Sequence, residues 1–141
     1  MYIDSLTKTY PAIFTHDEEG YFIEFPDLQG AYTGINNKDL SLGIAMAEEV
    51  LGMVLADRVE NGEELPMPTD INKVKSEEDG FVTLIKVDME KYFHDETLVK
   101  KTLTIPKWAD DTAKRSGLNF SRLLTEAIGA KATELAFTRE I

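Results

Sequence analysis

The 141-residue sequence contains no cysteine, which excludes a disulfide framework and a thiolate metal site. It has two histidines only, His16 and His94, far apart in the chain. That excludes a histidine-rich zinc site but leaves open a carboxylate site for a hard cation. No apolar run approaches the ~20 residues that cross a bilayer, so no membrane partner is expected. The start, Met1-Tyr2-Ile3-Asp4-Ser5, lacks the basic opening and apolar run of a secretion signal, and a cytoplasmic location is expected. Basic residues are scarce in the first two thirds: residues 1–98 hold 7 Lys and Arg against 21 Asp and Glu, a balance of −14. Residues 99–141 hold 8 against 5, a balance of +3. The net charge of −11 argues against general nucleic-acid binding. The split points to an acidic body that meets something basic and a basic module that meets polyanions.

The patterning that is present reads as α+β. Residues 8–14 predict a strand, with Pro11 at an edge or at the strand start because it cannot donate to a ladder. Asp17-Glu18-Glu19-Gly20 is turn chemistry, with Gly20 supplying the positive φ a hairpin often needs. Residues 21–25 return, with Glu24 on the face opposite Ile23 and Phe25. Residues 31–35 can form a third short strand. A helix follows, capped by Asn36 or Asn37, with Leu40, Ile44, Ala47, Leu51, Val54 and Leu55 as its apolar stripe and Gly62 past its end. After a loop, residues 81–87 predict the last strand. This β-β-β-α-β unit spans residues 1–88, and a linker is expected over 89–98.

Residues 99–141 carry the sharpest signal. Residues 100–106 predict one strand, with Val99, Leu103 and Ile105 on one side and Lys100, Thr102 and Thr104 on the other. Pro106 suits the first turn of a helix whose inner side is Trp108, Ala109, Thr112 and Ala113. Gly117 fits just past its end. Asn119 caps a second helix with the stripe Phe120, Leu123, Leu124, Ala127 and Ile128, extended to Leu135. One strand and two helices in about 43 residues cannot bury a core alone. The simplest solution is a homodimer in which two strands pair antiparallel, forming a ribbon that fits a DNA major groove. The first free N–H groups of the second helix, at Asn119, Phe120 and Ser121, can hold a phosphate, with Arg122 nearby.

Lys100-Lys101-Thr102-Leu103-Thr104-Ile105 and Gly117-Leu118-Asn119-Phe120-Ser121-Arg122-Leu123-Leu124 resemble the strand and helix-turn signatures of the ribbon-helix-helix family. That resemblance implies base contacts from Lys100, Thr102 and Thr104. It also implies phosphate contacts from Phe120 and Ser121 through their backbone N–H groups.

Tyr10-Pro11-Ala12-Ile13-Phe14, the stretch from Asp17 to Gly30, Tyr32-Thr33-Gly34 and Ala47-Glu48-Glu49-Val50-Leu51 resemble the HicB antitoxin family. This resemblance implies a partial RNase H-like fold without a working active site and without a cofactor. It implies a partner, HicA, a small basic toxin of double-stranded-RNA-binding fold that cleaves mRNA with a histidine. Around the first hairpin, Asp17, Glu18, Glu24 and Asp27 are candidate toxin contacts, since an acidic surface steers a basic partner. The function expected is an antitoxin that neutralises such a toxin and represses its own operon as a dimer on operator DNA. Two rivals are weighed beside it. A metal-dependent nuclease would draw on Asp4, Glu24, Asp27 and Glu48. A stand-alone repressor would sense a ligand in its N-terminal unit, which has little interior to spare.

Overall fold

A computed structural model describes residues 6–138 of the chain. Four strands, β1 (Thr7–His16), β2 (Tyr21–Glu24), β3 (Tyr32–Ile35) and β4 (Gly80–Asp88), form one sheet in the order β3-β2-β1-β4. All neighbours are antiparallel. The long helix α1 (Leu40–Glu60) separates β3 from β4, and two further helices, α2 (Lys107–Arg115) and α3 (Phe120–Thr138), end the chain. Short 3-10 turns occupy Ile71–Lys73 and Met89–Tyr92. This is an α+β fold, and no helix among the described residues is long and apolar enough to cross a membrane.

The sheet buries one face. Tyr10, Ala12 and Phe14 of β1, Tyr21 and Ile23 of β2, and Ile85 and Val87 of β4 alternate inward and pack with Ala47, Leu51 and Leu55 of α1. Each large apolar side chain buried in this way contributes about 1.5–3 kcal/mol. Phe14 is the hub: its ring stacks on Phe81 at 5.0 Å and meets the edge of Tyr21 at 5.9 Å.

The structure corrects four local expectations. Pro11 lies inside a central strand, paired with Leu84 of β4. It is tolerated because β2 pairs with β1 only from Ile13 onward, so at Pro11 the strand has a ladder on one side. Gly20 does not have positive φ; positive values occur at Gly30, Gly62 and Gly117. Its glycine requirement is steric, because a Cβ there would collide with the carbonyl oxygen of Ile35. The cap of α1 is Asp39, whose carboxylate accepts from Ser41 N at 2.9 Å, while Asn37 accepts from Asp39 N one step earlier. The buried face of α1 is also rotated from the expected stripe. Leu40 and Ile44 are exposed, and Gly43, Gly52 and Ala56 are buried in their place. Small residues let the helix backbone approach: a Cβ on Gly43 would stand 3.1 Å from the Phe14 ring.

Gly62 does end α1 as expected. Its N–H donates to Val59 O at 3.1 Å, and Glu63 N donates to Arg58 O at 2.8 Å, the paired bonds of a Schellman cap. Gly117 repeats the motif after α2, through Gly117 N to Lys114 O at 3.2 Å and Leu118 N to Ala113 O at 2.9 Å.

Packing of the head continues past β4. Met89 is fully buried, and its N–H donates to Leu6 O at 2.9 Å. The Tyr92 ring lies against Gly52, where any Cβ would strike it. His94 N and Nδ1 both reach Glu60 Oε1, at 2.9 and 3.2 Å. The segment expected as a linker is therefore tied to α1 along its first half, and only the stretch after it runs free of the head's core.

Candidate functional site

Residues 100–106, where a strand is expected, carry no strand and pair with no other strand among the described residues, and all of them are exposed. Lys100, Lys101, Thr102 and Thr104 all face solvent, and so do the apolar Val99, Leu103 and Ile105. Helix α2 follows Pro106, which occupies its N-cap with φ −59°. Of the side expected to be inner, Ala113 is buried and Ala109 half-buried, whereas Thr112 is exposed and Trp108 stands 72% exposed. Within this chain that side is left largely open.

Helix α3 begins as the sequence indicates. Asn119 Oδ1 accepts from Arg122 N at 3.0 Å, and the hydroxyl of Thr125 donates to Ser121 O at 2.8 Å. The N–H groups of Phe120 and Ser121 sit in the first turn, where a helix offers them no carbonyl. The expected stripe Phe120, Leu123, Leu124 and Ile128 is exposed, and Leu135 with it. What α3 buries in this chain is another face, Thr133 and Ala136 with part of Phe137. Gly129 is in contact with the side chain of Leu6, and Lys8 Nζ lies 4.9 Å from the centre of the Phe137 ring. Burial lowers the Lys8 pKa from 10.5. Half of α3 is thus docked on the head, and its apolar stripe is left unpartnered.

Arg122 is not a free cation. Nη1 bonds Glu90 Oε1 at 2.7 Å, Nη2 bonds Glu90 Oε2 at 3.2 Å and Nε bonds Glu126 Oε1 at 2.8 Å. Glu90, by its hydrogen bonds and then its charge, and Glu126 after it, raise the Arg122 pKa above the ordinary arginine value. The Glu126 contact is an i,i+4 pair that spacing reveals. The Glu90 contact spans 32 residues and left no signal in the sequence.

On the head, the four candidate acids do not form one cluster. Asp17 and Glu18 lie at the hairpin tip, while Glu24 and Asp27 lie at the far end of β2. The strand alone separates them by roughly 10 Å. Asp17 is occupied locally, accepting from Glu19 N at 2.9 Å and Gly20 N at 2.6 Å. Asp27 holds the loop after α1, accepting from Thr69 N at 3.0 Å and from the Thr69 hydroxyl. Glu18 is exposed and Glu24 half-buried. Of the acids a nuclease would need, Glu48 is on α1, and Asp4 lies outside the described residues. No group of three or more potential ligands among the described residues could hold a metal ion. A cleft of about 670 Å³ opens between Thr7, Thr9, Glu48, Lys86, Lys91 and Tyr92, with both charge signs on its wall.

The sheet face opposite α1 is open. Cross-strand pairing puts Ile13, Glu24, Phe22, Tyr32, Val82 and Leu84 there. Phe22, Tyr32 and Leu84 are exposed, and the first two rings pair at 5.9 Å.

An acidic α+β head followed by a basic tail of two helices describes the class of protein, and comparison with known proteins gives its family. The model of the HicB_like antitoxin of bacterial toxin-antitoxin systems matches residues 10–128, and the chain belongs to that family. Antitoxin HicB 2 of Photorhabdus laumondii is 37% identical over 65 residues, which is 46% of this chain and 45% of that protein. The match thus spans less than half the length of that relative. A chain of a toxin-antitoxin complex from Streptococcus pneumoniae is 37% identical with a TM-score of 0.57, covering 89% of this chain and 99% of that one. The Burkholderia pseudomallei antitoxin HicB, at 16% identity and a TM-score of 0.51 over 86% of this chain and 96% of that one, shares the fold.

Proposed function

We propose that this chain is the antitoxin of a toxin–antitoxin pair, and that it neutralises a small basic mRNA-cleaving toxin of the HicA kind and represses its own operon. The head, read as a partial RNase H-like unit, captures the toxin and performs no catalysis. The tail, read as a ribbon-helix-helix module, pairs with a second copy and binds operator DNA in the cytoplasm. Lys100, Thr102 and Thr104 contact bases, and Asn119, Phe120, Ser121 and Arg122 hold backbone phosphate. On the head, Glu18 and Glu24 are better placed than Asp17 and Asp27 to meet a toxin, since the latter two are occupied by local hydrogen bonds.

The observation that carries this reading is the uncovered apolar side of the tail. Leu103, Ile105, Trp108, Leu124 and Ile128 are exposed together on a basic segment, which is the surface an intertwined dimer would bury. The acidic charge of residues 1–98 supports a basic protein partner through steering, with affinity supplied by apolar contacts. Two measurements test it. A small basic protein should co-purify with the chain when its native operon is expressed. Lys100→Ala with Thr102→Ala should weaken operator binding by about 10- to 100-fold and leave toxin neutralisation intact. Unchanged operator affinity in that double variant refutes the strand-contact assignment.

A further inference from the structure

We propose that Glu90 is an internal stand-in for a DNA phosphate, holding Arg122 on the head so that docking of the head and binding of DNA compete for one guanidinium. The inference rests on the operator-binding reading above. An arginine presents the same two-pronged fork to a carboxylate and to a phosphate. Here both terminal nitrogens of Arg122 face both oxygens of Glu90, at 2.7 and 3.2 Å. The fork is engaged, and it sits in the first turn of α3, where the phosphate site would be.

The carboxylate is held on the rigid part of the molecule. Glu90 N donates to the capping Asp88 at 3.0 Å, its neighbour Met89 is buried, and Tyr92 of the same turn packs on α1. The other end of α3 is fixed to the same body through Gly129 on Leu6 and Phe137 under Lys8. Glu126, by contrast, travels with Arg122 on its own helix and cannot release it. For Arg122 to reach a phosphate, only the Glu90 bond must break. Both side chains keep contact with solvent, at 57% and 26% exposure, so the exchange is open to an incoming oxyanion. A solvated pair of this kind is worth a modest factor, so the contact tunes affinity and does not lock the protein off. Because coupling is reciprocal, a ligand that holds the head against α3 lowers affinity for DNA, and DNA loosens that docking.

The test uses full-length protein and a labelled duplex from immediately upstream of its own coding sequence, with a scrambled duplex beside it. Glu90→Gln keeps the shape and removes the charge. It should tighten binding about three- to tenfold at ~0.15 M salt and make the log–log salt slope steeper by about one. Glu96→Gln, a nearby exposed acid, controls for the loss of one negative charge and should gain much less. In an Arg122→Gln background the effect of Glu90→Gln should vanish. Equal affinity of the Glu90→Gln variant and the unmodified chain overturns the competition while leaving operator binding standing. So does an equal gain from Glu96→Gln, or a gain that persists without Arg122. A chain that binds neither duplex at low salt in any variant removes the operator reading, and the competition with it.

Discussion

The head and the tail solve the same problem in opposite ways. Tyr10, Phe14, Ile23, Leu51 and Leu55 of the head are fully buried by partners within the chain. In the tail, Trp108 is 72% and Ile128 60% exposed, although both belong to apolar stripes as regular as that of α1. The difference is one of size and layers. A four-stranded sheet with a helix on one face closes a core by itself. A short irregular segment and two helices do not, so their apolar sides stay open within this chain. A regular apolar stripe is thus evidence that a face will be buried, and silent on whether its own chain buries it.

A crossed pair of substitutions breaks this comparison most severely. Leu124→Asp, on the open stripe of α3, should abolish self-association of the full chain and cost more than ~100-fold in operator affinity. The thermal transition of the head should move by no more than about 0.5 kcal/mol equivalent, because that side chain is exposed and lies outside the head's core cluster. Leu51→Ala, at the centre of α1, should do the reverse. It should cost the head about 2–5 kcal/mol, a large share of the stability of a small domain. Self-association through the tail should survive in protein that remains folded. Sedimentation equilibrium and calorimetry on the two variants decide the matter. If Leu124→Asp unfolds the head, or Leu51→Ala dissociates a still-folded dimer, the two regions are not separable.

Much of the fold was legible in the sequence, because the signals involved are local. Alternation in β1, β2 and β4, the glycines after α1 and α2, and Asn119 before α3 act within a few residues, and each appears where the pattern puts it. The exceptions share a cause. Pro11 sits mid-strand because β2 ends at Glu24, opposite Ile13, and Gly20 is needed because the Ile35 carbonyl comes close. Glycines 43 and 52 face the core because Phe14 and Tyr92 pack there. In each case the deciding atom belongs to a segment distant in sequence. The candidate site divides the same way. Asn119 follows from local pattern, whereas the strand expected to sort Lys100, Thr102 and Thr104 from Leu103 and Ile105 does not form among the described residues, and the bond of Arg122 to Glu90 exists only because α3 docks on the head. Charge counting placed four acids together around the hairpin that strand geometry puts at two ends of β2.

Trp108 sharpens the comparison at lower cost. It is the one tryptophan in the chain, so its emission reports on the tail alone. If a second copy covers α2, emission at micromolar concentration should be blue-shifted and should move to the red on dilution, in step with dissociation. Leu124→Asp should show the red-shifted spectrum at every concentration. A spectrum that is solvent-like and independent of concentration in the unmodified chain would mean that Trp108 lies outside the dimer contact.

The smallest expected effect lies where the two regions are joined. Tyr92 packs against Gly52, and its pKa is raised above 10.0, by burial first and by the charges of Glu49 and Glu48 after it. A tyrosine with a raised folded-state pKa is held in its neutral form by folding. Its contribution is complete below pH 10.0 and is lost as pH rises through the folded-state value, where phenolate would form beside two carboxylates. Unfolding midpoints measured between about pH 9 and pH 11 should therefore fall more steeply for the unmodified chain than for Tyr92→Phe, which has no proton to lose. Glu49→Gln should lessen the fall by relieving one of the repelling charges. Because the turn carrying Tyr92 also carries Glu90, the same alkaline shift should loosen the contact with Arg122 in the unmodified chain and spare it in Tyr92→Phe. Parallel pH profiles in the two proteins would place Tyr92 outside the packing that holds the head to the tail.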